Sequence, residues 1–431
     1  MIASQLSHYI DPGTGSMLFT LLIGLISAGY FFFRNLAIKA RFVLSGGHVE
    51  AQSERLPIVI FSDDKRYWNV FKPICDELER RGIDAAYWTA SPDDAALEEA
   101  YEHISCEFIG EGNKAFAKLN MMKADICLAT TPGLDVYQWK RSEDVGCYAH
   151  ILHATSTAAW YRMFGLDFFD AVLLSNDYQI GEVRELEEKR GESPKELVIV
   201  GCSYMDSMAE RLAGDPAQKK AYSGDLTVLL APTWGPNGLL KRYGARLLES
   251  LIATGFNIIV RPHPQSMKSE RDMMDDLMAR FPESERFSWN FDRDNYEVLR
   301  DSDIMISDMS GVIHDFALVF GKPVIYALGG IDTSPFDAAW LDTPFWESAL
   351  FTDTGVPIDE SQFDDMRSVI ERTLEDPEVR ARLSKARDEG WQCRGECAQR
   401  TVDWLVAKRA ELASGEAQDD LDRRERSMLP A

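Results

Sequence analysis

The sequence lacks an excess of positive charge. Its 431 residues include 46 Lys and Arg against 70 Asp and Glu, which gives a formal net charge of −24. Proteins that bind nucleic acids neutralise phosphates with clustered cations, so this balance excludes a nucleic-acid partner. An anionic substrate would have to be bound by backbone amides, helix N-termini and a few local cations.

Cysteine and histidine are scarce, with seven residues of each. The cysteines are odd in number and mostly lie in apolar segments, so we predict that they are reduced and buried. Cys393 and Cys397 have CxxxC spacing, but no second Cys or His pair follows them, which argues against a metal site. No metal ion and no required cofactor is therefore predicted.

Long apolar runs are also rare, and the clearest one is residues 17–33. Its length is at the lower limit of the roughly 17 to 25 residues that span a bilayer. The residues before it lack the basic start of a signal peptide, so we interpret the run as a membrane anchor. Arg34, Lys39 and Arg41 follow it, which predicts that the rest of the chain is cytoplasmic. A buried hairpin and a helix lying in the membrane interface are the alternative interpretations.

Short apolar segments alternate with amphipathic segments from residue 56 onward, in one series up to residue 201 and another between residues 225 and 328. This alternation is typical of parallel sheets covered by helices on both faces. A chain of this length exceeds the roughly 250 to 300 residues of a single core, so we predict an α/β fold of two doubly wound, Rossmann-like domains facing a cleft. The polar residues 209–225 are the candidate hinge, and a solvated tail is predicted from about residue 414. The predicted divisions are an anchor and juxtamembrane segment (1–45), an N-terminal domain (46–222), a C-terminal domain (223–390), and a C-terminal helix and tail (391–431).

The segment ISDMSGVIHDFALVFGKPVIY, residues 306–326, combines a strand end, a tight turn and a helix start. The strand is predicted to end at Ser307 and Asp308, and Ser310 and Gly311 form the turn. Because the first amides of a helix have no intrahelical partner, this turn is suited to bind a diphosphate. The alternative is an ordinary helix cap formed by Asp308 or Ser310.

Three further segments place reactive or aromatic side chains at strand ends. In VRPHP, Arg261 offers a planar fork for phosphate and His263 a hydrogen-bond donor or proton carrier. In ILHATST, His153 is a candidate general base that would face His263 across the cleft, and a core histidine is the alternative. In APTWGPNG, Thr233 and Trp234 either line the cleft or pack within the loop.

In order and spacing, LLAPTW, VRPHP and the segment 306–326 resemble the CDP-glycerol glycerophosphotransferase family of teichoic-acid-type polymer synthesis. The resemblance covers residues 148–328 and implies a GT-B-like fold that transfers glycerol phosphate, or a related polyol phosphate, from a CDP-linked donor and releases CMP. It implies catalytic roles for His153 and His263. Ala154 stands where the family usually has glycine. The residues expected to bind the donor and its phosphates are Arg261, Ser307, Asp308, Ser310, Gly311, Asp315, Thr233 and Trp234.

The resemblance also implies the partners of the reaction: CDP-glycerol or a similar CDP-polyol as donor, and a lipid-linked or cell-envelope glycan as acceptor. His153 would take the proton of the acceptor hydroxyl while Arg261, His263 and helix amides stabilise the developing charge. Mg²⁺ is expected only in company with the donor diphosphate. We therefore expect an enzyme at the cell membrane, single-pass or peripheral, with cytoplasmic catalytic domains. A GT-B glycosyltransferase that uses a nucleotide sugar and a catalytically silent nucleotide-binding relative are the alternatives.

Overall fold

The structure is a computed structural model that describes residues 54–216, 226–308, 310–327, 329, 332–344 and 346–428, with the backbone alone for 346–349 and 416–428. The residues from Arg55 onward form one compact unit. The predicted anchor, residues 17–33, lies outside the described residues and stays a prediction. Within the described ranges, no helix is both long and apolar enough to cross a membrane.

The first sheet of the described chain has seven parallel strands in the order β3-β2-β1-β4-β5-β6-β7. Its central strands are nearly continuous runs of buried apolar residues, because helices cover both faces of the sheet. The strands are β1 (Leu56–Ser62), β2 (Ala85–Thr89), β3 (Ile104–Phe108), β4 (Ala124–Ala129), β5 (Val145–Ile151), β6 (Ala171–Leu174) and β7 (Glu196–Ile199). The helices are α1 (Trp68–Arg80), α2 (Asn113–Leu119), α3 (Tyr178–Arg190) and α4 (Ser203–Gly214), with 3₁₀ turns at Lys65–Tyr67, Ala95–Glu98 and Ala158–Trp160.

The second sheet has six described parallel strands in the order β10-β9-β8-β11-β12-β13. The strands are β8 (Thr227–Leu230), β9 (Asn257–Val260), β10 (Phe287–Trp289), β11 (Ile304–Ser307), β12 (Val324–Tyr326) and β13 (Gly355–Pro357). The helices are α5 (Leu239–Ala253), α6 (Ser266–Ser269), α7 (Arg271–Arg280), α8 (Tyr296–Asp301), α9 (Val312–His314), α10 (Trp346–Thr354), α11 (Met366–Glu375) and α12 (Pro377–Gly390), and the last helix, α13 (Cys397–Met428), packs on the first sheet. A π-helical turn (Asp315–Val319) and 3₁₀ turns (Asp337–Trp340 and Glu360–Asp365) complete the half.

The predicted fold class of two parallel-sheet α/β domains is confirmed. Twelve of the strands overlap predicted apolar segments, and β13 does not. This edge strand is short and contains a glycine and a proline, so its sequence carries no strand signal. Glycine is required there, because a Cβ on Gly355 would lie 1.6 Å from the carbonyl oxygen of Val324.

The chain passes between the two sheets at two places that lie side by side. After β7 it enters α4, where Met205 packs in the core of the second sheet. After α12 it returns, and Cys397 packs in the core of the first sheet. The buried carboxylate of Asp206 joins the two passages, since it accepts hydrogen bonds from Trp391 Nε1 (3.0 Å), the amide of Gly395 (2.8 Å) and the amide of Cys397 (3.1 Å).

Two polar segments of the sequence are helical where the structure describes them. The candidate hinge at residues 209–225 is helical up to Gly214, because its first turns continue α4. The predicted tail from about residue 414 is also helical, since α13 runs to Met428.

Candidate functional site

A cavity of about 390 Å³ lies beside the carboxyl ends of β8, β11 and β12. Ligands of doubly wound sheets bind at this edge, where the loops after the strands converge. Ser156 and Trp160 reach it from the loop after β5, so the cavity lies between the two sheets. The other lining residues come from the C-terminal half: Thr233, Trp234, Pro236, Asn237, Asp308, Ser310, Gly311, His314, Gly329, Asp332, Phe336 and Phe351.

Asp308 lines the cavity and fixes the loop that faces it. Its carboxylate accepts hydrogen bonds from the amides of Thr233 (2.6 Å) and Leu239 (2.7 Å), the latter at the start of α5. The side chain is nearly fully buried, and this burial raises the pKa of Asp308 to about 6. Asp308 therefore acts first as the organiser of the loop between β8 and α5.

Ser310 and Gly311 line the cavity at the start of α9, as the sequence predicts for a ligand-binding turn. The amide of Ser310 donates to the carbonyl oxygen of Asp308 (2.7 Å), which makes the turn tight. A Cβ on Gly311 would meet no atom within 4 Å, so this position borders open space. The turn thus offers a backbone surface and one hydroxyl to a ligand.

Thr233 and Trp234 line the cavity from the loop after β8. The indole of Trp234 is 46% exposed and lies tilted over the ring of His263, with ring centroids 6.4 Å apart. His263 Nδ1 accepts from the amide of Gln265 (3.1 Å), which orients the imidazole. Burial lowers the pKa of His263, so the ring is neutral at neutral pH.

His153 lies in a polar pocket of the N-terminal half, at the end of β5. Its Nδ1 is 3.0 Å from the hydroxyl of Thr130, and its ring is tilted against that of Tyr67 at 5.0 Å. Burial, together with the charge of Arg66, lowers the pKa of His153 to about 4. A neutral imidazole whose Nδ1–H donates to Thr130 keeps a lone pair on Nε2, which is the arrangement a general base needs.

The two candidate histidines do not contact each other in the described structure. His153 contacts Thr130, Tyr67 and Tyr161, all of the N-terminal half. His263 packs under Trp234 instead. The expectation that the two rings face each other across the cleft is therefore not realised as a contact in this conformation.

Arg261 does not line the cavity. Its guanidinium donates to the side chain of Asn290 and to the carbonyl oxygen of Asp292 (2.8 Å), both in the loop after β10. Burial lowers the pKa of Arg261 without removing its charge. The predicted phosphate fork is engaged with its own domain here, because the short loop after β10 supplies two acceptors beside it.

Ser307 and Asp315 also lie outside the cavity lining. The hydroxyl of Ser307 is buried and donates to the carbonyl oxygen of Ala231 (2.6 Å), which ties β11 to the loop after β8. Asp315 accepts from the side-chain amide of Asn295 (3.3 Å) and the hydroxyl of Tyr204 (3.5 Å). Burial raises the pKa of Asp315 to about 7. Both residues support the site from behind.

A contact that no motif in the sequence indicates joins the two halves at the cavity. His314, which is 4% exposed, places Nδ1 3.0 Å from the hydroxyl of Thr155, and burial lowers the pKa of His314 to about 4. His314 stands inside the quoted segment 306–326, so its position was visible although its partner was not. Trp160 and Phe336 were missed as well, because their contact joins residues 176 positions apart in the chain.

The ionisable side chains that line the cavity are mostly acidic. No Lys or Arg side chain is among its described lining residues, whereas Asp308 and Asp332 are. A phosphate here would be bound by backbone amides and hydroxyls rather than by direct ion pairs. Within the described ranges, no group of three or more His, Cys, Asp or Glu side chains is arranged to hold a metal ion.

Comparison with known proteins bears on these residues directly. Residues 195–333 match the model of the CDP-glycerol:poly(glycerophosphate) glycerophosphotransferase family. The resemblance that the motifs indicate is confirmed, and the matched residues include most of the cavity lining on the C-terminal side. No curated protein matches the chain by sequence.

Solved structures show the same fold at low sequence identity. The wall teichoic acid polymerase TagF, in a structure soaked with CDPG, is 15% identical with a TM-score of 0.52, over 88% of this chain and 98% of that one. A putative UDP-N-acetylglucosamine 2-epimerase from Listeria monocytogenes is 15% identical with a TM-score of 0.54, over 81% and 95%. The UDP-GlcNAc 2-epimerase from Neisseria meningitidis, bound to UDP-GlcNAc, is 14% identical with a TM-score of 0.52, over 81% and 99%. At these identities the structures support the two-domain fold alone.

Proposed function

We propose that this protein transfers glycerol phosphate, or a related polyol phosphate, from a CDP-linked donor to a hydroxyl group of a membrane-proximal glycan or polymer, and releases CMP. The observation that supports this most is the coincidence of the family match, residues 195–333, with the cavity lining around Asp308, Ser310 and Gly311. The wall teichoic acid polymerase TagF has the same overall fold.

The donor would occupy the cavity with its diphosphate at the turn formed by Ser310 and Gly311. This turn offers a serine hydroxyl and an open backbone next to the start of α9. Backbone donors suit a diphosphate in a protein as acidic as this one, because they bind anions without needing a cationic side chain. Asp308 would keep the facing loop, including Thr233 and Trp234, in place.

In the reaction, the oxygen of the acceptor hydroxyl attacks the distal phosphorus of the donor. A new P–O bond forms, the P–O bond to CMP breaks, and CMP leaves with the bridging oxygen. Nε2 of His153 takes the proton of the acceptor hydroxyl in the tautomer whose Nδ1–H donates to the hydroxyl of Thr130. The negative charge of a bound diphosphate would raise the pKa of this imidazole and so strengthen it as a base.

His263 and Arg261 would stabilise charge on the transferred phosphate. In the present conformation they lie beside the cavity, with His263 under Trp234 and Arg261 on Asn290. The proposal therefore requires both side chains, or the loops that carry them, to turn toward the donor when it binds. No cofactor is required, and Mg²⁺ enters only as a companion of the diphosphate.

The protein would act at the cell membrane with its catalytic domains in the cytoplasm. This part of the proposal rests on the apolar residues 17–33 and the basic residues that follow them. A lipid-linked or cell-envelope glycan would then be held near the site.

The test is turnover of the purified full-length protein with CDP-glycerol, CDP-ribitol and a panel of UDP-sugars, in the presence of a membrane extract. CMP release that is lost in His153→Ala and in His263→Ala is the expected result. His103→Ala is the matched control, because His103 is a partly exposed histidine of the N-terminal half whose bond is to Asp84 (3.0 Å). UDP release would instead identify a nucleotide-sugar glycosyltransferase, and nucleotide binding without turnover would identify a silent relative.

A further inference from the structure

Residues 332–344, here called the crossing segment, leave the second sheet after β12 and lie against the N-terminal half. Phe336 forms an antiparallel bridge with Arg162. The amide of Asp337 donates to the carbonyl oxygen of Tyr161 (2.9 Å), and the amide of Asp342 donates to the carboxylate of Glu185 (2.6 Å). The crossing segment is thus a third link between the halves, on the side where the cavity lies.

The centre of this link is a buried ion cluster. Arg190, at the end of α3, donates to the carboxylates of Asp337 and Asp167 at 2.5 Å each. Its side chain is 4% exposed and that of Asp337 is 1% exposed. The guanidinium also lies over the rings of Phe164 (4.9 Å) and Trp340 (5.1 Å). Loss of one member of such a buried pair is strongly destabilising, because the other charge is left without compensation.

Asp337 also fixes the loop opposite it. Its two carboxylate oxygens accept from the amides of Phe164 (2.7 Å) and Gly165 (3.0 Å). Phe164 has a φ of 67°, a left-handed conformation that is unfavourable for a bulky side chain. One carboxylate from the C-terminal half therefore holds a strained loop of the N-terminal half in place.

Phe336, the residue before Asp337, connects the ion cluster to the cavity. The ring of Phe336 packs edge-on against that of Trp160, with centroids 5.6 Å apart and planes at 85°. Both rings line the cavity, one from each half of the molecule. They form an aromatic wall made of one ring from each half, and the crossing segment carries the Phe336 ring.

We propose that Arg190 and Asp337 are positioning residues of the donor site: they hold Phe336 against Trp160, and the resulting wall contacts the nucleoside part of the donor. An apolar aromatic wall suits a planar base, which stacks on or packs against rings. The faces of its two rings are apolar and suit a base better than the hydroxyl groups of a polyol, which need hydrogen-bond partners. The nucleoside assignment rests on the proposed function, whereas the positioning role does not.

The experiment compares Arg190→Met, Arg190→Lys and Phe336→Ala in the full chain. Asp342→Asn is the matched control, because Asp342 lies in the same segment and its pair with Lys189 (2.9 Å) is formed by a side chain that is 93% exposed. The rate of hydrogen exchange of residues 332–344 measures how firmly the crossing segment is held in place. Titration with CMP, CDP and CDP-glycerol measures the affinity of the donor site, and steady-state turnover gives KM and kcat separately.

We expect faster exchange of the crossing segment in Arg190→Met, partial restoration in Arg190→Lys, and no change in Asp342→Asn. Phe336→Ala and Arg190→Met should each weaken the binding of CMP and of CDP-glycerol by the same factor of about 10, because each would remove one contact with the base. KM should rise by a similar factor with kcat within about twofold of its original value, since a base contact is the same in the ground and transition states.

Three results would overturn the inference. Unchanged exchange in a folded Arg190→Met would show that the ion cluster does not position the segment. Unchanged CMP affinity in Phe336→Ala would show that the aromatic wall does not contact the nucleoside. This variant keeps the ion cluster intact, so it can still be measured if Arg190→Met fails to fold. If the unsubstituted protein binds UMP and UDP-sugars instead of cytidine nucleotides, the proposed function fails, while the same comparison made with UMP still decides the role of the wall.

Discussion

The two halves of the molecule contribute to the cleft in different ways. The C-terminal half contributes twelve of the fourteen lining residues that the structure describes, most of them in the loops after β8, β11 and β12. The N-terminal half contributes two lining residues and, separately, the pocket that holds His153 against Thr130. The cavity and the pocket of His153 are therefore built from different sets of residues, and the hydrogen bond between His314 and Thr155 (3.0 Å) is one of the contacts that join the two halves.

The largest effect should come from removing the proposed base. His153→Ala should lower kcat by about 10²- to 10⁴-fold, the usual contribution of a general base, and leave the affinity for CMP unchanged. Rapid-quench turnover and a binding titration on the same preparation would measure both. A parallel loss of CMP affinity would contradict the separation of the His153 pocket from the donor cavity, because it would place His153 in the donor site.

The next effect concerns Asp315, behind the cavity, whose pKa is raised from 3.8 to about 7 by burial. The folded protein binds this proton more tightly than the unfolded chain, so the contribution of Asp315 to stability is present at low pH and is lost as pH rises from about 4 to about 7. A tenfold difference in proton affinity between the folded and unfolded states corresponds to about 1.4 kcal/mol, which makes the total a few kcal/mol at most.

Asp315→Asn should remove this dependence. The difference in free energy of unfolding between the variant and the original protein should therefore shift in favour of the variant as pH rises through this window. Urea unfolding at pH 4, 5.5 and 7 would measure it, and taking the difference cancels the opposite trend of buried histidines such as His314. A difference that does not vary with pH would contradict the assignment.

A smaller effect is expected at Asp308. Asp308→Ala should leave the amides of Thr233 and Leu239 without their acceptor, at a cost of about 2 kcal/mol in stability, and should weaken donor binding by loosening the loop. Thermal unfolding and a CDP titration would measure the two consequences. Asp308→Asn keeps one acceptor oxygen in place and should lose less of both. Equal effects of the two substitutions would argue against a role for the second hydrogen bond.

The smallest expected effect is on the pH profile. Because burial lowers the pKa of His153 to about 4, the imidazole is already neutral at pH 5. Thus His153 should add no acidic limb to kcat/KM near the ordinary histidine value of about 6.5. This profile is measured in Asp308→Asn, so that the carboxyl of Asp308, whose pKa is raised to about 6, does not titrate in the same range. An acidic limb centred near 6.5 would show that another group, or a differently solvated His153, controls the reaction.

The sequence was sufficient for the features that depend on local pattern. Alternating apolar segments predicted twelve strands, and the turn at Ser310 and Gly311 was predicted to border a ligand site, where the structure places it beside the cavity. A strand end followed by a small-residue turn and a helix requires only neighbours in the chain, so its signal is complete in about ten residues.

The features that sequence analysis missed are those that depend on long-range contacts. The partner of Arg261 is a loop some 30 residues away, and nothing in VRPHP indicates that Asn290 and Asp292 satisfy its guanidinium. The contact of Trp160 with Phe336 joins the two halves of the molecule. Such pairs carry no periodicity and no local motif, so physical reasoning from one sequence cannot find them.

The buried carboxylate of Asp206 has a consequence for how the molecule unfolds. This carboxylate accepts hydrogen bonds that tie together both chain passages between the sheets. Residues of α4 pack in the core of the second sheet, and residues of α13 pack in the core of the first sheet. Neither core is therefore complete when the chain is cut at one of these passages. The two halves should melt in a single cooperative transition, and a fragment cut at either passage should expose an apolar face and aggregate.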